Sequence, residues 1–172
     1  MDGPPRLPPR VGPAPTVGAV TLPPLHADRF EALPDHLAEM WSGFGRWEEV
    51  FFPSVVGLEL EEVRSGYGRM RLPYRPELRQ PAGVVHGGAI ATLIDTVVVP
   101  AVGGVYEVRP KMLTISMSIR YLGALVAEDA VAEGWVEQRG RSIVFCRAEV
   151  RSASGAMVAD GTLVYKVSFP TP

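Results

Sequence analysis

The chain has 172 residues, 47% hydrophobic and 21% charged, which suits a single globular core rather than a disordered polymer. Lys and Arg total 17 against 19 Asp and Glu, a net charge of −2, so no basic surplus points to nucleic acid or to an anionic membrane surface. One cysteine, Cys146, excludes an intrachain disulfide and a cysteine-built metal cluster, and it fits a reducing cytoplasm.

Residues 1–25 hold 8 of the 17 prolines, among them Pro4-Pro5, Pro8-Pro9 and Pro23-Pro24. Such a stretch favours extended conformations and buries little apolar surface, so it is expected to be a tail the fold does not need, with the folded domain over 26–172. The prolines also interrupt every apolar run there, which argues against a signal peptide.

From about Ala27 to Phe52 the spacing of Leu33, Leu37, Met40 and Trp41 predicts helix, broken at Ser42-Gly43-Phe44-Gly45. Trp47, Val50 and Phe51 suggest a further short turn, and the aromatics of this segment are expected to pack across one end of a sheet in preference to lining a ligand pocket. His26 and His36 have no metal-ligand spacing and read as ordinary histidines. Two strand-like runs follow, Val56 to Arg64 and Tyr67 to Tyr74, joined by a hairpin turn at Ser65-Gly66. A loop over 76–83 then leads into the central stretch.

That stretch is His86-Gly87-Gly88, followed by an apolar run to Val102 that contains one carboxylate, Asp95. The β-branched Thr96-Val97-Val98-Val99 would suit a buried strand, but 14 residues from Ala89 to Val102 exceed the usual length of roughly 4 to 8 and favour helix. Pro100 is expected to kink or end it. At 16 residues, with Asp95 inside, the run is too short and too charged to span a membrane. Four more alternating runs complete the chain: one with Leu113, Ile115, Met117, Ile119 and Tyr121 on one face, then Ala130 to Gln138, Ser142 to Ser152 and Met157 to Ser168. The sum is an α+β domain: an antiparallel sheet of about six strands wrapped around one long helix, with short helices before it.

A helix beginning at Gly87 aims free N–H groups and its positive dipole end outward, where an anion or a developing oxyanion can sit. Asp95 is the only ionisable group between His86 and Glu107, and a carboxylate among Leu93, Ile94 and Val97 must be hydrogen-bonded, paired or used.

The order strand–strand–helix–four strands, with Gly-x-x-His-Gly-Gly over 83–88 and Asp95 seven residues later, resembles hotdog-fold thioesterases over about 56–167. The phenylacetic-acid-degradation type of acyl-CoA thioesterase is the most similar subgroup. The resemblance implies that Gly87 donates its N–H to the thioester carbonyl and that Asp95 acts as general base or nucleophile. It implies that Gln80 helps to place carbonyl or water, and that Thr114 contacts the attacking water. The chain departs from the pattern at Pro100 and by one extra residue between Asp95 and Thr114. His86 either caps the helix and fixes the loop or contacts the sulfur side of the substrate. Arg120, Arg139 and Arg141 are candidates for the CoA phosphates. No metal or organic cofactor is called for.

Gly87 and Asp95 lie eight residues apart, about 12 Å along one helix axis. One thioester cannot touch both on the same helix, so joint action requires Asp95 from a second subunit, in a twofold dimer or a pair of such dimers. The alternatives are a non-catalytic acyl-CoA binder or sensor on the same fold, and an Asp95 that is merely a satisfied buried carboxylate. A regulator of that kind would usually carry a basic DNA-reading module, and residues 27–52 contain only Arg29 and Arg46. The hydratase branch of the fold pairs its Asp with a downstream His, and no histidine follows His86.

Overall fold

Alternating apolar residues resolve into six strands: β1 (Glu59–Arg64), β2 (Tyr67–Leu72), β3 (Lys111–Tyr121), β4 (Ala130–Arg139), β5 (Ile143–Ser152) and β6 (Met157–Ser168). The structure, a computed structural model, describes residues 22–169, so all but the last few residues of the proline-rich stretch lie outside it. Every strand pairing is antiparallel, in the order β1-β2-β4-β5-β6-β3. β1 turns into β2 at Gly66, whose φ of +81° is the left-handed conformation a tight turn asks for. β3 leaves the helix for the far edge of the sheet, beside β6.

Before the sheet come α1 (Asp35–Ser42) and α2 (Phe52–Val56), preceded by a single 3-10 turn at Ala27–Arg29. The helical stretch expected over 27–52 is therefore interrupted more than its spacing suggested. Gly45 takes φ +82°, and the chain between the two helices runs irregularly.

The long helix is α3 (Gly87–Gly103), 17 residues. It lies on the sheet chiefly over β2, β4 and β5, with Leu93, Ile94, Val97, Val98 and Val102 fully buried. At about 1.5–3 kcal/mol for each fully buried aliphatic side chain, this face is the main attraction holding helix to sheet.

Pro100 neither ends nor breaks α3; the helix passes through it to Gly103. Three helical residues follow the proline, whose missing N–H removes one bond of the last turns. Its ring is accepted by a trough in the sheet built from Gly68 of β2 and its register partner Gly134 of β4. A Cβ on Gly68 would lie 2.5 Å from the Val97 carbonyl oxygen and 3.0 Å from Pro100 Cγ. One on Gly134 would lie 2.7 Å from Val97 Cγ1. The two glycines allow the helix to approach the sheet this closely.

β3 does not keep one face throughout. A bulge between Thr114 and Ser116 reverses its phase. Met112 and Thr114 face the helix side before it, opposite Val167 and Tyr165; Met117, Ile119 and Tyr121 do so after it, opposite Leu163, Gly161 and Ala159. Leu113 (68% exposed) and Ile115 (56%) are left outside, contrary to the single apolar face expected from alternation.

The other sheet face carries buried charge, balanced locally. Glu61 accepts from Arg69 Nε at 2.6 Å and Arg71 Nε at 2.5 Å. Glu133 accepts from the Tyr67 hydroxyl and from the Leu25 and His26 backbone N–H groups. Leu22 to His26, which straddle the boundary expected after residue 25, thus bond to the sheet, and the His26 ring lies 4.6 Å from that of Trp135. Among the described residues no helix is long and apolar enough to cross a membrane.

Candidate active site

The loop before α3 fixes where the helix starts. Gln80 N–H donates to the Val84 carbonyl at 2.9 Å, Gly83 N–H to the Gln80 carbonyl at 2.9 Å, and His86 N–H to the Leu78 carbonyl at 2.7 Å. Gly83 turns the chain with φ +86°. His86 is the N-cap: its Nδ1 accepts the Gly88 N–H at 2.8 Å, satisfying one of the helix's free donors. Of the roles open to His86 in the sequence, the cap is the one made within the chain.

The Gly87 N–H has no partner among the described residues. The Gly87 carbonyl accepts from the Tyr121 hydroxyl at 3.0 Å, tying the helix start to β3. A Cβ at position 87 would meet the Tyr121 ring at 3.3 Å, and one at 88 would meet His86 Nδ1 at 2.9 Å. The two glycines thus serve close packing as well as access.

Two turns further on, Asp95 is half-buried and projects between β3 and β6. Its Oδ1 accepts from Thr114 Oγ1 at 2.9 Å and from the Tyr165 hydroxyl at 2.5 Å, and that hydroxyl also lies 2.7 Å from the Asp95 carbonyl oxygen. Thr114 and Tyr165 are cross-strand register partners, and the bulge just after Thr114 is where β3 changes phase. Oδ2 has no partner among the described residues. Tyr165 is 2% exposed; burial and then the adjacent Asp95 charge push its ionisation upward, so it stays a donor.

Asp95 opens onto a cavity of about 660 Å³. Phe44, Trp47, Phe51 and Phe52 wall it from the N-terminal segment, and Val99, Met112 and Met117 from α3 and β3. Phe44 and Phe51 both pack edge-on against Trp47, at 5.0 and 5.4 Å. Of the two roles open to these aromatics, packing against the sheet was preferred to lining a pocket; they form a wall of the cavity that Asp95 faces. Their spacing carries no period, so nothing in the sequence aimed them there. Arg109 is the one charged residue besides Asp95 on that lining among the described residues.

The expected site residues separate into groups. Gly87 and His86 stand at one end of the exposed first turns of α3, with Gln80 half-buried in the loop before it. Asp95 and Thr114 meet lower down, joined by Tyr165, which the sequence reading did not single out. Arg120 pairs with Asp160 on the sheet face away from α3, its Nε 2.9 Å from Oδ1, and holds the Asp160 carboxyl below its ordinary value. Arg139 donates to the Val105 carbonyl at 2.6 Å and lies over the Tyr106 ring. Arg141 sits exposed in the turn between β4 and β5. None of these three lines the cavity; Arg109 does.

Comparisons with known proteins agree on the architecture. Residues 82–159 match the family model of the thioesterase superfamily. A Halobacterium salinarum protein whose name places it provisionally among the esterases is 36% identical over 45% of this chain and 58% of its own. The chain spans about three fifths of the length of the curated relatives it matches. A conserved protein of Pseudomonas aeruginosa superposes with TM-score 0.66 at 27% identity, covering 70% of this chain and 95% of that one. The PaaI protein of the Escherichia coli phenylacetic acid degradation operon does so with TM-score 0.70 at 16% identity, over 79% and 96%. The fold is that of the hotdog proteins, and the match to the thioesterase superfamily model runs from the loop before α3 to the first residues of β6.

Proposed function

We propose that the protein hydrolyses an acyl- or aryl-CoA thioester to the free acid and CoA, in sites shared between two subunits. The observation that carries the reading is the pairing of two unsatisfied groups on one helix. Among the described residues the Gly87 N–H is free at its start, and the Asp95 carboxylate keeps one oxygen free beside a cavity walled by aromatic rings. The thioester carbonyl oxygen accepts from Gly87, and that donor, fixed before the reaction, stabilises the oxyanion. Asp95 of the partner subunit takes a proton from water through Oδ2, the water attacks the carbonyl carbon, and the C–S bond breaks to release the thiol. The apolar cavity receives the acyl group, and Arg109 at its wall is a charge partner for a phosphate or carboxylate of the ligand.

A row of exposed apolar side chains on and beside the open edge strand, Leu113, Ile115, Met117, Tyr121 and Leu122, supports the second subunit. An unpaired, apolar edge of this length invites another chain.

A panel of short aliphatic, long aliphatic and aromatic CoA esters, read by thiol release, tests the reading. The protein should turn over some member, and Asp95→Asn should fold normally and lose at least about 100-fold in rate. Full turnover by Asp95→Asn ends the assigned mechanism; tight binding with no thiol release makes the protein a binder. The shared site has its own test. Gly87→Pro removes the N–H at the first helical position, where proline is tolerated, and His86 already has the extended ψ of 134° that a following proline favours. Mixed dimers of Gly87→Pro and Asp95→Asn should regain one working site where neither parent works.

A further inference from the structure

Asp95 has two hydroxyl donors on the same oxygen, and that asymmetry has a chemical consequence. A carboxylate rotates easily about its last torsion, where the energy wells are broad. Left alone, it would present either oxygen to water in a range of directions, and about 1 Å of misplacement can cost 100-fold in rate. Here Thr114 from β3 and Tyr165 from β6 both reach Oδ1, and the tyrosine hydroxyl is anchored again by the Asp95 carbonyl oxygen. Tyr165 is the rigid member of the pair. Its ring is buried in the core, whereas Thr114 is exposed on the edge strand.

We propose that Tyr165 is a positioning residue for Asp95: its hydroxyl holds Oδ1, which commits Oδ2 to the reacting water. This deepens the hydrolytic reading given above and rests on it. Tyr165 touches neither substrate nor water in this role. The other groups facing Asp95 are the hydroxyl of Thr114 and, on the same cavity wall, Thr92 and Thr96 of α3 and the guanidinium of Arg109.

Tyr165→Phe keeps the buried ring and removes only the donor. Positioning predicts that kcat falls about tenfold while KM stays within about twofold, because ground-state binding is untouched. Thr114→Val combined with Tyr165→Phe should cost less than the product of the two single effects, because both donors serve one oxygen.

If Tyr165→Phe lowers only the melting temperature, with kcat unchanged, the hydroxyl is structural and the proposal is overturned. Absence of thiol release from the unaltered protein is a different failure, that of the hydrolytic reading itself, and it takes the positioning role with it.

Discussion

Cys146 illustrates how a residue's chemistry is set by where its strand runs. It lies on β5 facing the core, 1% exposed, and burial pushes its thiol up to about 12. A thiol reacts as its thiolate, so at pH 8 almost none of the reactive form exists. In the native protein Cys146 should resist a disulfide reagent that labels it at once in denaturant, and counting modified thiols under both conditions checks this. Rapid native labelling would mean that β5 opens far more often than its pairing on both sides suggests. The same inertness means that thiol appearing during an esterase assay belongs to the released product. Asp95 is the contrasting case. Its place was legible in the sequence because a lone carboxylate in an apolar run has few explanations. Tyr165 was not legible: it lies 70 residues away, and in an alternating strand a tyrosine reads as one more core side chain.

The elements follow from local pattern wherever one rule acts alone, and depart from it where two compete. The hairpin of β1 and β2 and the meander of β4, β5 and β6 were foreseeable as strands, although β2 is buried on both faces and β1 and β4 carry bulges at Leu60/Glu62 and Val136/Gln138. β3 was foreseen as a strand but not with its two faces, because a one-residue bulge reverses its phase without any glycine to announce it. α3 runs through Pro100 because the sheet beneath it is notched, a fact held by Gly68 and Gly134, both distant in sequence. That notch can be tested. Gly68→Ala would place a carbon 2.5 Å from the backbone oxygen of Val97, an atom that cannot rotate away, so helix or strand must shift. The expected loss is about 1–3 kcal/mol or more, read as a fall in denaturation midpoint with little change in m. Gly83→Ala is the control, since nothing lies within 4 Å there and only its positive φ is strained. A Gly68→Ala protein as stable as the original would mean that helix and sheet are not in contact at this turn.

At the scale of the whole molecule, if Gly87 and Asp95 act on one thioester as proposed, two groups two turns apart on one helix pose a geometric problem that one subunit cannot solve. Gly87 and Asp95 stay about 12 Å apart however the side chains move, because both belong to α3. The exposed row on and beside β3 lies between them: Tyr121 bonds to Gly87, and Thr114 bonds to Asp95. If a second chain pairs on this edge, the strand that closes the dimer also steadies both halves of the site, and assembly and activity should fail together. Ile115→Lys tests this, because Ile115 points outward at the bulge and its replacement leaves the hydrogen bonds of Thr114 and Tyr121 in place. The added charges would face one another across a twofold contact, and desolvating them opposes association. Sedimentation should then show a shift from dimer to monomer, circular dichroism an intact fold, and thiol release a loss that tracks the dimer fraction as protein concentration is varied. A folded monomer with undiminished turnover would place the whole reaction within one chain and break the link between Gly87 of one subunit and Asp95 of the other.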